Sequence, residues 1–182
     1  MRLLLVILAL SLPFEARSQD MSSLDQPGVV ALMRHALAPG TGDPPGFDLA
    51  ECSTQRNLDA RGREQARRIG QAIRAAGVTF DALWSSQWCR ARETADLLDL
   101  GEIVEQPELN SFFAGRGDRA AQTAETLELI AAQAPDARLL LVSHQVNISA
   151  LTGNFAGSGE IIVARRTDGG ELEVIDRIKI SP

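Results

Sequence analysis

Only two histidines, His35 and His144, occur in this sequence of 182 residues, and each ends a short apolar run. Gly28 to Met33 (GVVALM) gives way to Arg34-His35, and Leu139 to Ser143 (LLLVS) gives way to His144. A third run, Ala82 to Ser85 (ALWS), opens on Ser86, with Arg90 and Arg92 close behind. Neutral imidazole is a competent nucleophile, and an isolated histidine titrates at about 6.5. Neighbouring guanidiniums disfavour its protonated form, and their planar fork suits bidentate grip on phosphoryl oxygens. Phosphoryl transfer needs chiefly positioning and electrostatic stabilisation, which such a set can supply. A lone histidine is more often structural, and Arg90 and Arg92 alone would be a solvated helix face. Their coincidence at three run ends is what points to chemistry.

That coincidence has meaning only if the three runs are neighbouring strands. Short β-branched and apolar runs fit buried strands. Between them lie helical patterns. Over Leu58 to Ala76, Ala66, Ile69 and Ile73 recur at helical spacing opposite Arg63, Glu64, Arg67 and Arg68, with Gly77 placed to end the helix. Cys89 to Leu98 reads as a second helix, Ile103-Val104 as a short strand, and Arg119 to Ala134 as a third helix with Leu127, Ile130 and Ala131 facing inward. Ala38 to Cys52, with three prolines and three glycines, is a loop. Glu160 to Ala164 and Leu172 to Ile180 pattern as a hairpin turning at Asp168-Gly169-Gly170. Strands alternating with helices predict an α/β fold, a three-layer sandwich with a mostly parallel central sheet. Open sheets of this kind bind ligands beyond the carboxyl ends of their strands, where both histidines fall.

Composition narrows the partners. A net charge of −6 excludes nucleic acid as a general partner while leaving room for a local basic pocket. Arg2, an apolar run from Leu3 to Phe14, and Ala16-Arg17-Ser18 form a leader pattern, so residues 1–18 are expected to be a cleaved signal peptide and 19–182 a single domain. The apolar run is too short to span a bilayer, so stable membrane insertion is not expected, and the location is periplasmic or secreted. In an oxidising compartment Cys52 and Cys89 read as one disulfide, the alternative being two separate thiols. No cysteine and histidine spacing fits a zinc site, so neither metal nor cofactor is expected.

The sequence also resembles the histidine phosphatase superfamily, which includes phosphoglycerate mutases and phosphohistidine phosphatases. Leu32-Met33-Arg34-His35-Ala36 is similar to its Arg-His-Gly signature. Arg56-Asn57-Leu58-Asp59-Ala60-Arg61-Gly62 with Gln65-Ala66 resembles its helix-opening segment. Ser85-Ser86-Gln87-Trp88-Cys89-Arg90-Ala91-Arg92-Glu93-Thr94-Ala95 resembles its Ser-Ser…Arg…Glu-Thr-Ala motif, and Val142-Ser143-His144-Gln145 its second histidine motif. The resemblance covers nearly the whole chain beyond the leader. It implies a phosphoglycerate mutase-like fold in which His35 is the nucleophile and is transiently phosphorylated. Arg34 and Arg90 would clamp the phosphoryl oxygens, His144 would donate to another, and Arg56 is a further candidate for the clamp. The substrate implied is a small phosphorylated molecule.

Two positions depart from the pattern. Ala36 stands where the signature has glycine, which matters only if the backbone there needs positive φ. Ser111 stands where many members carry a glutamate as acid for the leaving group; Glu108 is the nearest carboxylate to replace it. A missing acid favours a good leaving group, such as a phosphoramidate or acidic phosphate, and counts against a mutase. A Cys52–Cys89 bridge would tie the loop after His35 to the segment bearing Arg90, so reduction should loosen the pocket. The alternatives to a phosphatase are a non-catalytic phospholigand-binding protein, a phosphomutase, or an exported interaction protein on the same fold. Trp84 is assigned to the core and Trp88 to the pocket wall, with Phe112 and Phe113 nearby; oligomeric state is not legible.

Overall fold

A computed structural model describes residues 20–182, so the expected leader, residues 1–18, lies outside the described residues. The apolar runs form the strands of one six-stranded sheet: β1 (Val29–Arg34), β2 (Ala82–Ser85), β3 (Ile103–Glu105), β4 (Leu139–Ser143), β5 (Ile161–Arg166) and β6 (Leu172–Ile178). Their order is β3-β2-β4-β1-β5-β6. The first four in that order run parallel, and β5 and β6 add an antiparallel hairpin at one side.

Alternation along the strands sorts the side chains into two cores. Val29, Ala31 and Met33 pack with Ile69 and Ile73 of helix α1 (Ala60–Ala75) and with Ala91, Ala95 and Leu98 of α2 (Cys89–Leu98). Val30 and Leu32 pack on the opposite face with Ile130 of α3 (Arg119–Ala131) and with Ile148 and Leu151 of α4 (Gln145–Thr152). This is the expected three-layer sandwich. Central strands buried on both faces need apolar residues at every position, which is why GVVALM and LLLVS do not alternate. Each fully buried aliphatic side chain contributes roughly 1.5–3 kcal/mol of transfer free energy.

Register sets up the site. Arg34 is paired with Ser143, and Ser85 with Val142, so β1, β2 and β4 end at one level. His35 follows Met33 and His144 follows Val142 in the same pleat parity, so both imidazoles are carried toward the α1 and α2 face.

Some boundaries differ from expectation for identifiable reasons. α1 starts at Ala60, not Leu58, because the Asp59 carboxylate accepts the Gly62 N–H at 2.8 Å and caps the helix. α3 ends at Ala131, not Ala134, ahead of Pro135, which disfavours helical backbone at the residue before it. Ala131 is exposed and Thr126 buried in its stead, its hydroxyl donating to the Gln122 carbonyl at 2.7 Å. β5 runs on to Arg166 and β6 stops at Ile178. α4 carries no amphipathic signal in the sequence and was not expected; it ends on Gly153 with φ 69°. No helix among the described residues is long and apolar enough to cross a membrane.

Candidate active site

Beyond the carboxyl ends of β1 and β4 lies an open cavity. Arg34, His35, Arg56, Arg90 and His144 all line it. The five residues singled out in the sequence are therefore brought together. Arg92 is not: it is half-exposed and pairs with Glu105 at 2.8 Å on the outer side of α2.

His35 is buried, and its Nδ1 lies 2.8 Å from the Ala36 carbonyl. A carbonyl can only accept, so Nδ1 carries the proton and Nε2 presents its lone pair. The Arg90 Nε–H donates to that lone pair at 3.2 Å. Burial, then the charge of Arg90, and to a lesser extent those of Arg34 and Arg56, push His35 well below the ordinary histidine range. It is the neutral, nucleophilic form at neutral pH.

The ring of His144 stands edge-on to that of His35, with centroids 5.5 Å apart. Its Nε2 lies 2.8 Å from Ser86 Oγ, and that hydroxyl donates to Asn110 Oδ1 at 3.2 Å. A hydroxyl has one proton, so His144 Nε2 donates to Ser86, and Nδ1 faces the Arg90 Nη2–H at 3.5 Å. Burial and then Arg90 push His144 down as well.

Arg90 is held to Asp43 by a buried ion pair at 2.7 Å, with the second carboxylate oxygen 3.3 Å from Nη2. Burial lowers Arg90 to about 10, against the pull of Asp43, so it remains charged at neutral pH. Burial works to raise Asp43, but Arg90 and the N–H donors of Arg56 and Trp88 outweigh it and hold the carboxyl below its usual range. Arg34 donates to the Ala156 carbonyl at 3.1 Å, and its buried Nε–H has no partner among the described residues. Arg56 donates to the carbonyls of Gly42 at 2.7 Å and Ala38 at 2.5 Å, so it ties down the loop as well as lining the cavity.

The frame around these groups explains the rest of the motifs. Thr94 accepts the Ala36 N–H at 3.0 Å and donates to the Arg90 carbonyl at 2.6 Å, coupling the segment after His35 to α2. Gln65 accepts the Leu37 N–H at 3.0 Å, and Gly62 is required because a Cβ there would collide with the Leu37 carbonyl. Gln55 accepts the Cys89 N–H at 3.0 Å, capping α2, while its amide donates to the carbonyls of Asp48 and Leu49. The Cys52–Cys89 disulfide is formed and fastens the same loop to the same helix start. Ala36 is not among the residues with positive φ, so alanine fits where glycine was expected.

The carboxylate at the cavity is not the one the sequence brought forward. Ser111 lines the cavity, but Glu108 does not, so Glu108 is not placed to replace a missing glutamate. Among the residues lining the cavity the one carboxylate is Asp43, which by sequence alone is a turn residue in GTGDPP. Trp88 is not on the wall either: it is buried behind it, edge-on to His144 with centroids 5.4 Å apart, and its Nε1–H donates to Asp43 at 3.1 Å. Phe113 and Arg116 reach the cavity instead. Trp84 is in the core as expected.

A sequence model of the histidine phosphatase superfamily (branch 1) matches residues 30–122, slightly more than half of the chain. The chain belongs to that superfamily. An uncharacterized protein of Picosynechococcus sp. is 34% identical over 93 residues, 51% of this chain and 55% of that relative. The match thus spans about half the length of that curated relative. Among solved structures, the protein histidine phosphatase SixA complexed with tungstate superposes with a TM-score of 0.60 at 19% identity, covering 83% of this chain and 96% of that one. The putative phosphohistidine phosphatase SixA from Agrobacterium tumefaciens gives 0.59 at 23% identity, covering 86% and 99%. These likenesses establish the histidine phosphatase fold for this chain, and the match at residues 30–122 takes in His35, Arg34, Arg56 and Arg90.

Proposed function

We propose that this chain is an exported, metal-independent phosphatase that hydrolyses a small phosphate monoester or phosphoramidate through a phosphohistidine on His35. One observation carries the reading: His35, with its unprotonated Nε2 facing the Arg90 Nε–H, lines a cavity where Arg34, Arg56 and Arg90 supply positive charge. The Nε2 lone pair attacks phosphorus, the bond from phosphorus to the leaving oxygen or nitrogen breaks, and the arginines hold the transferred oxygens. A phosphoryl oxygen entering beside His144 favours its other tautomer, with Ser86 turning to donate to Nε2 and Nδ1–H facing the oxygen. Water then attacks phosphorus, releasing inorganic phosphate and restoring the Nε2 lone pair.

Both oxygens of Asp43 already accept N–H donors, from Arg90 and Arg56 on one and from Arg90 and Trp88 on the other. That carboxylate is poorly suited to deliver a proton, which favours substrates whose leaving group departs without strong acid assistance. The leader pattern and the disulfide support export to an oxidising compartment. The test is to assay the purified protein on p-nitrophenyl phosphate in the presence of a chelator, trapping phosphoenzyme by quenching in alkaline detergent and then checking that acid releases the label. Wild type should give an acid-labile phosphoenzyme, and His35→Ala should give none, with turnover at least about 10³-fold lower. Tight phosphate binding without phosphoenzyme would overturn the reading in favour of a binding protein.

A further inference from the structure

Arg90 has five N–H donors, and every one has a partner inside the protein. Nη1 donates to Asp43 Oδ1 at 2.7 Å and to the Arg56 carbonyl at 3.4 Å, and Nη2 donates to Asp43 Oδ2 at 3.3 Å. The remaining two, Nε–H and the second Nη2–H, meet the lone pairs of His35 Nε2 at 3.2 Å and His144 Nδ1 at 3.5 Å. The guanidinium is thus divided by edge. Its end, across Nη1 and Nη2, is taken by the carboxylate, and its side, across Nε and Nη2, faces the two histidines.

The partners on the two edges differ in how replaceable they are. Asp43 is itself fixed: besides Arg90 it accepts the Arg56 N–H at 3.1 Å and the Trp88 Nε1–H at 3.1 Å, and the pair is almost fully buried. The histidine lone pairs are weaker acceptors for a guanidinium than an anionic oxygen. A phosphoryl group arriving at His35 would therefore exchange with the side edge and leave the end edge in place. That exchange also removes the Arg90 N–H from the lone pair that must attack.

We propose that Asp43 is a positioning residue that locks the end edge of Arg90, so that phosphate is gripped only by the side edge facing His35 and His144. This rests on the reading of His35 as nucleophile. The lock has a second consequence, because Asp43 places one negative charge among the arginines of the cavity and so restrains how tightly product phosphate is held. Asp43 acts through Arg90 and takes no part in bond making.

The decisive variant is Asp43→Asn, measured for inorganic phosphate binding by calorimetry and for kcat and KM on p-nitrophenyl phosphate. An amide puts a donor against Arg90 or Trp88 and removes the charge, freeing the end edge to seize phosphate unproductively. Phosphate should bind at least about tenfold more tightly while kcat falls about 10- to 100-fold. A purely structural role predicts weaker phosphate binding together with a higher KM, and that result, or an unchanged kcat, overturns the proposal. Should Asp43→Asn not fold, proton and nitrogen NMR of arginine-labelled wild type serves in its place. Added phosphate should move the Arg90 Nε–H resonance and leave its Nη protons slow to exchange; faster Nη exchange would refute the lock. If wild type forms no phosphoenzyme but Asp43→Asn still tightens phosphate binding, the catalytic reading fails and the lock stands.

Discussion

The two ends of the sheet carry ion pairs of the same chemistry and nearly the same length, in opposite surroundings. At the carboxyl ends of the strands, Arg90 meets Asp43 at 2.7 Å, with side chains 3% and 4% exposed. At the amino ends, Arg138 just before β4 meets Asp25 at 2.6 Å, with side chains 26% and 60% exposed. Distance alone would rank them as equals. Burial separates them, because a charge withdrawn from water depends on its partners, whereas an exposed one falls back on solvent. The buried pair also sits in a field of other groups: two imidazoles, the guanidiniums of Arg34 and Arg56, and an indole. The fold thus concentrates buried polar interaction at one end and leaves the other an ordinary solvated surface.

The sharpest way to break that contrast is Arg90→Lys. Lysine keeps the charge but has no planar fork, so it cannot hold Asp43 with one edge and face both histidines with the other. kcat/KM on p-nitrophenyl phosphate should fall about 10²- to 10³-fold, corresponding to roughly 3–4 kcal/mol of transition-state stabilisation. A loss below about threefold would mean that charge alone suffices there and that the edge geometry is irrelevant.

A smaller effect is expected from the disulfide, which lies one residue from Arg90 and secures the loop that supplies Asp43. Cys52 and Cys89 are 37 residues apart in sequence, so opening the bridge in Cys52→Ser/Cys89→Ser should cost about 2–4 kcal/mol in urea unfolding. kcat/KM should drop about three- to tenfold as the loop loosens over the guanidinium. Unchanged kinetics in the double variant, or in wild type under strong reductant, would show that Gln55, Arg56 and Asp43 hold the loop without it.

How much of this was legible in the sequence follows the same division. The buried end of each strand announced itself: LLLVS is apolar nearly throughout and too short for a helix, which suits a strand covered on both faces, and a histidine then marks its end. β2, α2 and β4 fall where that pattern put them. That His35, His144 and the arginines Arg34, Arg56 and Arg90 would share one cavity was likewise readable by type and position. Asp43, Gln55 and Thr94 were not, because each does its work through a contact distant in sequence: Asp43 and Arg90 are 47 residues apart, and Ala36 and Thr94 are 58. In GTGDPP an aspartate is what any turn would carry. Trp88 was placed one layer too far forward for a related reason: its position fixed its neighbourhood, but not which side of it the cavity would open on. α4 was invisible because its one turn of apolar contact, Ile148 and Leu151, is too short to set a period.

The smallest predicted effect tests the quiet end of the sheet. Arg138→Ala removes the ion pair to Asp25 and the 3.0 Å hydrogen bond to Thr79. It leaves the Arg138 backbone N–H on Asp81 at 2.8 Å and the reciprocal Asp81 N–H on the Arg138 carbonyl, so β4 keeps its starting register. Asp25, already largely in water, recovers its hydration, and the loss should be no more than about 1 kcal/mol, shrinking further in high salt. kcat and KM should match wild type. If Arg138→Ala destabilised the protein by more than about 3 kcal/mol, or slowed turnover, ion-pair length would matter more here than burial. The asymmetry between the two ends would then need another cause.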